Sequence, residues 1–140
     1  MSATDLNTVR STIEQRLFNE LNEAPIIPVV FNNMPFESIT EESFVQSTIS
    51  FGSGEITSQG NQTDANTLIV GLLTLNIFTK QGVGFGENLI ICKRLRDLSN
   101  RITVSGVMFD AVVGPEILAQ PPEGKFVTQM RITFETYEAL

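Results

Sequence analysis

The chain has no histidine and no tryptophan, a single tyrosine and a single cysteine, Cys92. Without histidine there is no imidazole to serve as a general base near neutral pH, and no histidine metal ligand. One cysteine excludes an internal disulfide and any multi-cysteine zinc site. Cations are also scarce: Lys and Arg number 9 against 16 Asp and Glu, a net charge of −7. Phosphate neutralisation needs an excess of cations somewhere, so generic nucleic-acid binding through a basic surface is not expected. The longest apolar run, Leu68 to Leu73, falls far short of the ~18 residues of a membrane span. Met1–Asp5 shows neither a basic nor an apolar leader region, so no secretory signal is expected. The chain is expected to be made in a reducing cytoplasm, where the sequon Asn61-Gln62-Thr63 is incidental.

What is present suits one globular domain. A chain of 140 residues, 41% hydrophobic and 18% charged, can bury about two-thirds of its unfolded surface without disulfide or metal. No internal repeat or low-complexity segment interrupts it.

Ser2 to Glu23 is expected to be a helix. Leu6, Val9, Ile13, Leu17 and Leu21 recur at steps of three and four and so form one stripe. Ser2 and Asp5 fit an N-terminal capping arrangement, and Pro25 and Pro28 bar continuation. Val29-Val30-Phe31 is a short β-rich run. Phe44 to Phe51 alternates cleanly, with Val45, Ile49 and Phe51 on one face and Gln46, Thr48 and Ser50 on the other. Gly52 to Asn66 has no hydrophobic period and is expected to be a long loop or an extended hairpin. Leu68 to Phe78 is nearly continuous apolar sequence, which predicts a central strand covered on both sides.

A second helix is expected from about Glu87 to Asn100, its stripe formed by Ile91, Leu95 and Leu98 and carried on by Ile102. Val104 to Val113 and Phe126 to Tyr137 are expected as two further strands. In the last, Phe126, Met130, Ile132 and Phe134 share one face, and Gln129, Arg131, Thr133 and Glu135 the other. Gly114-Pro115 and Pro121–Gly124 bracket the connection between them. The expected fold is therefore α+β, in the order α-β-β-β-α-β-β: a mainly antiparallel or mixed sheet of about five strands with both helices on one face.

Few residues suggest chemistry. Gly82-Val83-Gly84-Phe85-Gly86 lies between a strand and a helix, the context of a phosphate cradle. Yet Glu87 stands where GxGxxG needs glycine, and no Gly-Lys-Ser/Thr follows. Cys92 sits beside Ile90 and Ile91 without a base to activate it, and fits a small buried hydrophobe. Ser53 lacks the elbow sequence of a hydrolase nucleophile. Asp64-Ala65-Asn66 lacks the later Gly and Glu of a calcium loop. Asp110 interrupts a strand, on the exposed face opposite Phe109 and Ala111. No catalytic group, metal or cofactor is expected.

Charge and exposed apolar residues point instead to assembly. Lys93, Arg94, Arg96 and Arg101 place four of the nine cations on or just after the second helix. One explanation is a solvated face favoured by the helix dipole; the other is a basic patch that meets an acidic patch on a neighbouring copy. Phe36, Ile56, Val83 and Phe85 fall in expected loops, either as a satellite core or as anchors for a partner.

In the order of its elements and several local phrases, the chain resembles the tail-terminator (tail-completion) proteins of long-tailed bacteriophages. The phrases are IIPVVFNNMPF (26–36), FVQSTISFGSGE from Phe44, GLLTLNIFTKQGVGFGENLI from Gly71, ITVSGVMFDAVVGP from Ile102, and GKFVTQMRITFETYE from Gly124. The resemblance covers nearly the whole length, 1–140. It implies a virion protein of the tail and neck that is not an enzyme. Such proteins form a six-membered ring on the head-proximal end of the tail tube, stop its polymerisation, and meet the neck or head-completion protein. Genomic DNA passes through the ring lumen without specific binding. Subunit-interface candidates are then Lys93, Arg94, Arg96, Arg101, Phe36 and Phe85. Glu55, Ile56, Gln59 and Asn61 are candidates for a loop that contacts the tube or a neighbour. The alternatives are a head-side neck adaptor or stopper and, from another class, a small-ligand or nucleotide-binding module built on Gly82–Gly86.

Overall fold

The computed structural model describes residues 6–23, 26–31, 43–52, 55–56, 66–82, 85–119 and 124–139, with backbone alone for 55–56, 66–68 and 137–139. In chain order the elements are α1 (Leu6–Leu21), β1 (Val29–Val30), β2 (Phe44–Phe51), β3 (Glu55–Ile56), β4 (Asn66–Lys80), α2 (Gly86–Ser99), β5 (Thr103–Val104), β6 (Val107–Phe109), β7 (Val113–Ile117) and β8 (Lys125–Ala139).

The stripe of α1 is buried as its spacing requires: Val9, Ile13, Leu17 and Leu21 are all at most 2% exposed. Leu6, expected on that stripe, is instead exposed. The Ser2–Asp5 cap lies outside the described residues. At the other end the orphan carbonyls of Phe18 and Leu21 accept from the N–H groups of Asn22 and Ile27, at 2.9 and 2.8 Å. These bonds close the helix and turn the chain into β1.

The strands form one eight-stranded sheet in the order β1-β2-β4-β8-β6-β5, with β3 on β4 and β7 on β8. All pairs are antiparallel except β1 with β2. Its spine is β4 against β8, paired over their full lengths from Asn66↔Ala139 to Lys80↔Lys125. Alternation decides the faces. Leu73, Leu75 and Ile77 of β4, Met130, Ile132 and Phe134 of β8, and Val45 and Ile49 of β2 join the helix stripes in one core. The fold is thus α+β, with both helices on one side of the sheet.

Three expectations change. The run Val104–Val113 is not one strand: Ser105 (φ 50°) and Gly106 (φ 82°) both take the left-handed region. They make the two-residue turn that joins β5 to β6, a turn type that requires positive φ at both positions. Gly114-Pro115, expected to bracket a connection, lies inside β7. These changes and the short β3 raise about five strands to eight. The continuous apolar run of β4 is central in the sheet, but the helices cover only its odd-numbered side; Val70, Leu72, Thr74, Asn76 and Phe78 are half-buried on the other.

That open face carries a polar row across the strands. Asn76 donates to Gln46 at 3.3 Å, Gln129 donates to Asn76 at 2.9 Å, and Arg131 donates to Glu116 at 2.6 Å. At one end of the face Phe44 stacks on Phe78 with ring centroids 4.2 Å apart, and the Lys125 ammonium lies over the Phe44 ring.

Gly71 explains itself through Phe134, its partner across the β4–β8 ladder. A Cβ at residue 71 would stand 2.2 Å from Phe134 Cζ, so the ring occupies the space a side chain would need. Gly71→Ala is expected to cost about 1–3 kcal/mol in urea denaturation. The loss should be largely relieved when Phe134→Leu is added; an additive double mutant would refute the steric account.

Candidate interaction surface

The four cations expected to form one patch are divided by the fold. Arg94 turns towards α1: its Nε donates to Glu20 Oε2 at 3.0 Å, and its Nη2 donates to the carbonyls of Glu20 and of Glu23, the latter at 3.2 Å. Its side chain is largely covered. Arg94 is therefore a tie within the chain and not a free contact for a neighbour. Arg16 makes a second tie in the opposite sense, donating to the Leu98 carbonyl at 2.7 Å. Between them the two arginines lock α1 antiparallel to α2 and satisfy carbonyls near both helix ends.

Lys93 pairs with Asp97 at 2.7 Å on the exposed side of α2. Arg96 and Arg101 are exposed, and among the described residues their side chains have no hydrogen-bond or ion-pair partner. Arg101 itself has φ 54°, and its N–H donates to the Asp110 carbonyl at 3.2 Å. Asp110 is exposed as expected, its carboxylate accepting from the N–H of Ala111.

Phe85 does not project for a partner either. It is half-buried and packs edge-on against Phe126, with centroids 5.2 Å apart. Phe36, Gln59 and Asn61 lie outside the described residues. Of Glu55 and Ile56 only the backbone is described: they pair with Leu68 and Thr67, so this part of 52–66 is a hairpin arm on β4.

The glycine segment leads into α2 as expected, with Val83 and Gly84 outside the described residues. The helix starts after Phe85 without a side-chain cap. The Glu87 carboxylate already stands in its first turn, where it accepts from the Ser43 hydroxyl at 2.7 Å. An anion at this helix start satisfies the dipole and opposes a phosphate. Among the described residues no group of three or more His, Cys, Asp or Glu could hold a metal, and no helix is long and apolar enough to cross a membrane.

Sequence periodicity missed a buried polar knot under α2. Asn88 is fully buried. Its amide donates to the Ile77 carbonyl at 3.1 Å and to Thr79 Oγ1 at 3.3 Å, and its Oδ1 accepts from Thr128 Oγ1 at 2.5 Å. Cys92 Sγ joins at 3.4 Å from Asn88 Oδ1 and 3.5 Å from Thr128 Oγ1. Cys92 is buried, but among hydroxyl and amide groups and not in a purely apolar setting. The signal was available in principle: Asn88 lies three residues before Ile91 and four before Cys92, inside the buried stripe. Burial pushes the Cys92 thiol above its ordinary pKa, against smaller lowering effects of the Thr128 hydrogen bond and of Arg96.

Exposed large apolar side chains mark the outer surface. Leu6, Phe18 and Ile26 lie on α1 or just beyond it, and Leu89, Ile90, Val113 and Ile117 lie on α2 or β7; Phe51, expected on the core face of β2, is also exposed at the end of that strand. Between α2 and β7 a groove of about 390 Å³ is lined by Leu89, Cys92, Pro115 and Met130, together with the charged Lys93, Arg96 and Asp97.

Arg94→Ala is expected to lower stability by about 1–2 kcal/mol, since charged hydrogen bonds to helix-end carbonyls are lost. Lys93→Ala should stay within about 0.5 kcal/mol, because its pair is exposed. Thermal denaturation of the two variants separates the roles. For Cys92, a raised native pKa means that the fold favours the neutral thiol. That contribution is complete below the thiol's unfolded-state pKa and is lost as pH rises through the raised native value. The urea midpoint should therefore fall on the alkaline side more in the wild type than in Cys92→Ala. A disulfide reagent should label Cys92 quickly only after denaturation.

No family model matches the chain, and no curated protein matches it. A solved structure, of a protein whose name states no function, superposes with a TM-score of 0.71 over 96% of this chain and 96% of that one, at 13% sequence identity. The two proteins share a fold.

Proposed function

We propose that this chain is a structural virion protein of the tail-terminator kind: a ring, hexameric as the resemblance implies, that caps the head-proximal end of a phage tail tube. It stops tube growth, joins the tail to a neck or head-completion protein, and leaves a lumen for DNA. The observation that carries this reading is the placement of exposed apolar side chains. Apart from Phe51 at the end of β2, those among the described residues lie on or just beyond α1 and on α2 and β7, which suits a subunit with more than one neighbour. The −7 charge suits a lumen that DNA traverses without counterion-driven adhesion. The hairpin arm around Glu55–Ile56 is a candidate for contact with the tube or a neighbouring subunit.

Light scattering and negative-stain microscopy should show rings, or a monomer–ring equilibrium, that decorate one end of tail tubes. Density at the portal side would favour a neck stopper instead. Deleting residues 55–63 should leave thermal stability within about 1 kcal/mol, since loop changes are tolerated, yet impair tube capping. Unimpaired capping would remove the arm from the mechanism.

A further inference from the structure

Arg10, Arg94 and Arg131 each pair with a carboxylate. Arg16 does not. It is half-buried, and its Nη2 donates to the Leu98 carbonyl at 2.7 Å. A guanidinium carries five N–H donors, so this bond leaves most of them over. Among the described residues no carboxylate lies within ion-pair distance of Arg16. The carboxylates flanking it along α1, Glu14 and Glu20, are held by Arg10 and Arg94. A cation partly withdrawn from water without a counter-charge is disfavoured, and an anion from outside would relieve that.

The surroundings supply the rest of an anion site. Arg16 lines an open cleft of about 470 Å³ between α1 and the β5–β6 turn, within the range of about 300–1,000 Å³ usual for small-molecule sites. The hydroxyls of Ser11, Thr12 and Ser105 and the amides of Asn7 and Gln15 line it too. No Asp or Glu lines it, although the chain has 16. Both walls are fixed before a ligand arrives. Leu98 holds the guanidinium, and the turn is set by the left-handed Ser105 (φ 50°) and by Thr136, whose Oγ1 donates to the Gly106 carbonyl at 3.0 Å. Such preorganisation lowers the cost of binding. Asn7 Oδ1 is engaged by Arg10 and Gln15 Nε2 by Asn19. Asn7 therefore offers its N–H groups to the cleft, and Gln15 its carbonyl oxygen.

Several donors around one cation match a tetrahedral oxyanion, whose oxygens accept from the guanidinium fork and from hydroxyls together. A carboxylate would use fewer of them. The lining holds no aromatic ring to stack a base, and Val104, its one apolar side chain, makes no seat for an acyl chain. The Gln15 carbonyl oxygen calls for a hydroxyl on the ligand. We propose that this cleft binds a phosphate group through Arg16 and the hydroxyls of Ser11, Thr12 and Ser105, carried on a small hydroxylated molecule of the sugar-phosphate class. The site shares no residue with the exposed apolar surfaces of the ring reading and does not depend on it.

Isothermal titration calorimetry at constant ionic strength, with ribose 5-phosphate, inorganic phosphate and acetate as ligands, tests the site. Ribose 5-phosphate is expected to bind in the millimolar range or tighter, ahead of inorganic phosphate, with acetate weakest. Arg16→Gln should weaken ribose 5-phosphate binding by roughly tenfold or more, since charge-assisted hydrogen bonds are lost. That change also touches the Leu98 tie, so the double variant Ser11→Ala/Thr12→Val, which removes only hydroxyls, is measured beside it. It should bind roughly three- to tenfold more weakly with its melting temperature kept, and it decides the matter should Arg16→Gln fail to fold. No binding of either phosphate at millimolar concentration, or equal binding by the wild type and the folded variants, overturns the site. Acetate binding as tightly as the phosphates overturns the phosphate assignment, and inorganic phosphate binding as tightly as ribose 5-phosphate overturns the sugar-phosphate carrier.

Discussion

The β4–β8 pairing is the interaction on which the rest of the molecule depends. Two 15-residue strands run antiparallel over their whole length, and every other part is placed relative to them. β2 adds to the free edge of β4, and β6 and β7 add to that of β8. A slip of one residue would move Leu73, Leu75 and Ile77 from the core to the open face, so burial itself holds the register. Gly71 beneath the Phe134 ring pins the same register sterically.

α2 is seated on this spine by polar as well as apolar contacts. Asn88 reaches a carbonyl and a hydroxyl on β4 and a hydroxyl on β8, so the helix cannot shift without leaving buried groups unpaired. α1 is then fixed through α2, by Arg16 and Arg94 acting at the two ends of the helix pair. Two of the nine cations are thus consumed internally. The four cations that suggested one basic face resolve into one structural tie at Arg94, one surface ion pair at Lys93, and two outward arginines.

Much of the fold was legible because burial imposes a period. The i, i+4 spacing of Val9, Ile13, Leu17 and Leu21 marked α1. The alternation from Phe44 to Phe51 gave β2 its bounds, and that from Phe126 to Tyr137 marked most of β8. Where the period is short the sequence was ambiguous: Val104–Val113 looks like one strand, and only the positive φ of Ser105 and Gly106 divides it. The candidate surface was less legible. A cation on a helix looks the same whether it points to solvent or to the next helix, and Arg94 and Arg96 differ only by where α1 lies. By sequence Phe85 is a loop aromatic; in the fold it packs against Phe126, 41 residues on.

The sequence alone determined which segments carry an apolar face, that it holds no histidine and no second cysteine for an internal disulfide, and that the chain is acidic. These are properties of residue type and local spacing, which need no partner to be read. Tertiary structure decided which polar groups are buried and which charges are spent, because both depend on segments far apart in the chain. Asn88 meets Thr128, Arg94 meets Glu20, and Leu89 borders Pro115 only once β4 and β8 have paired and the helices have docked on them.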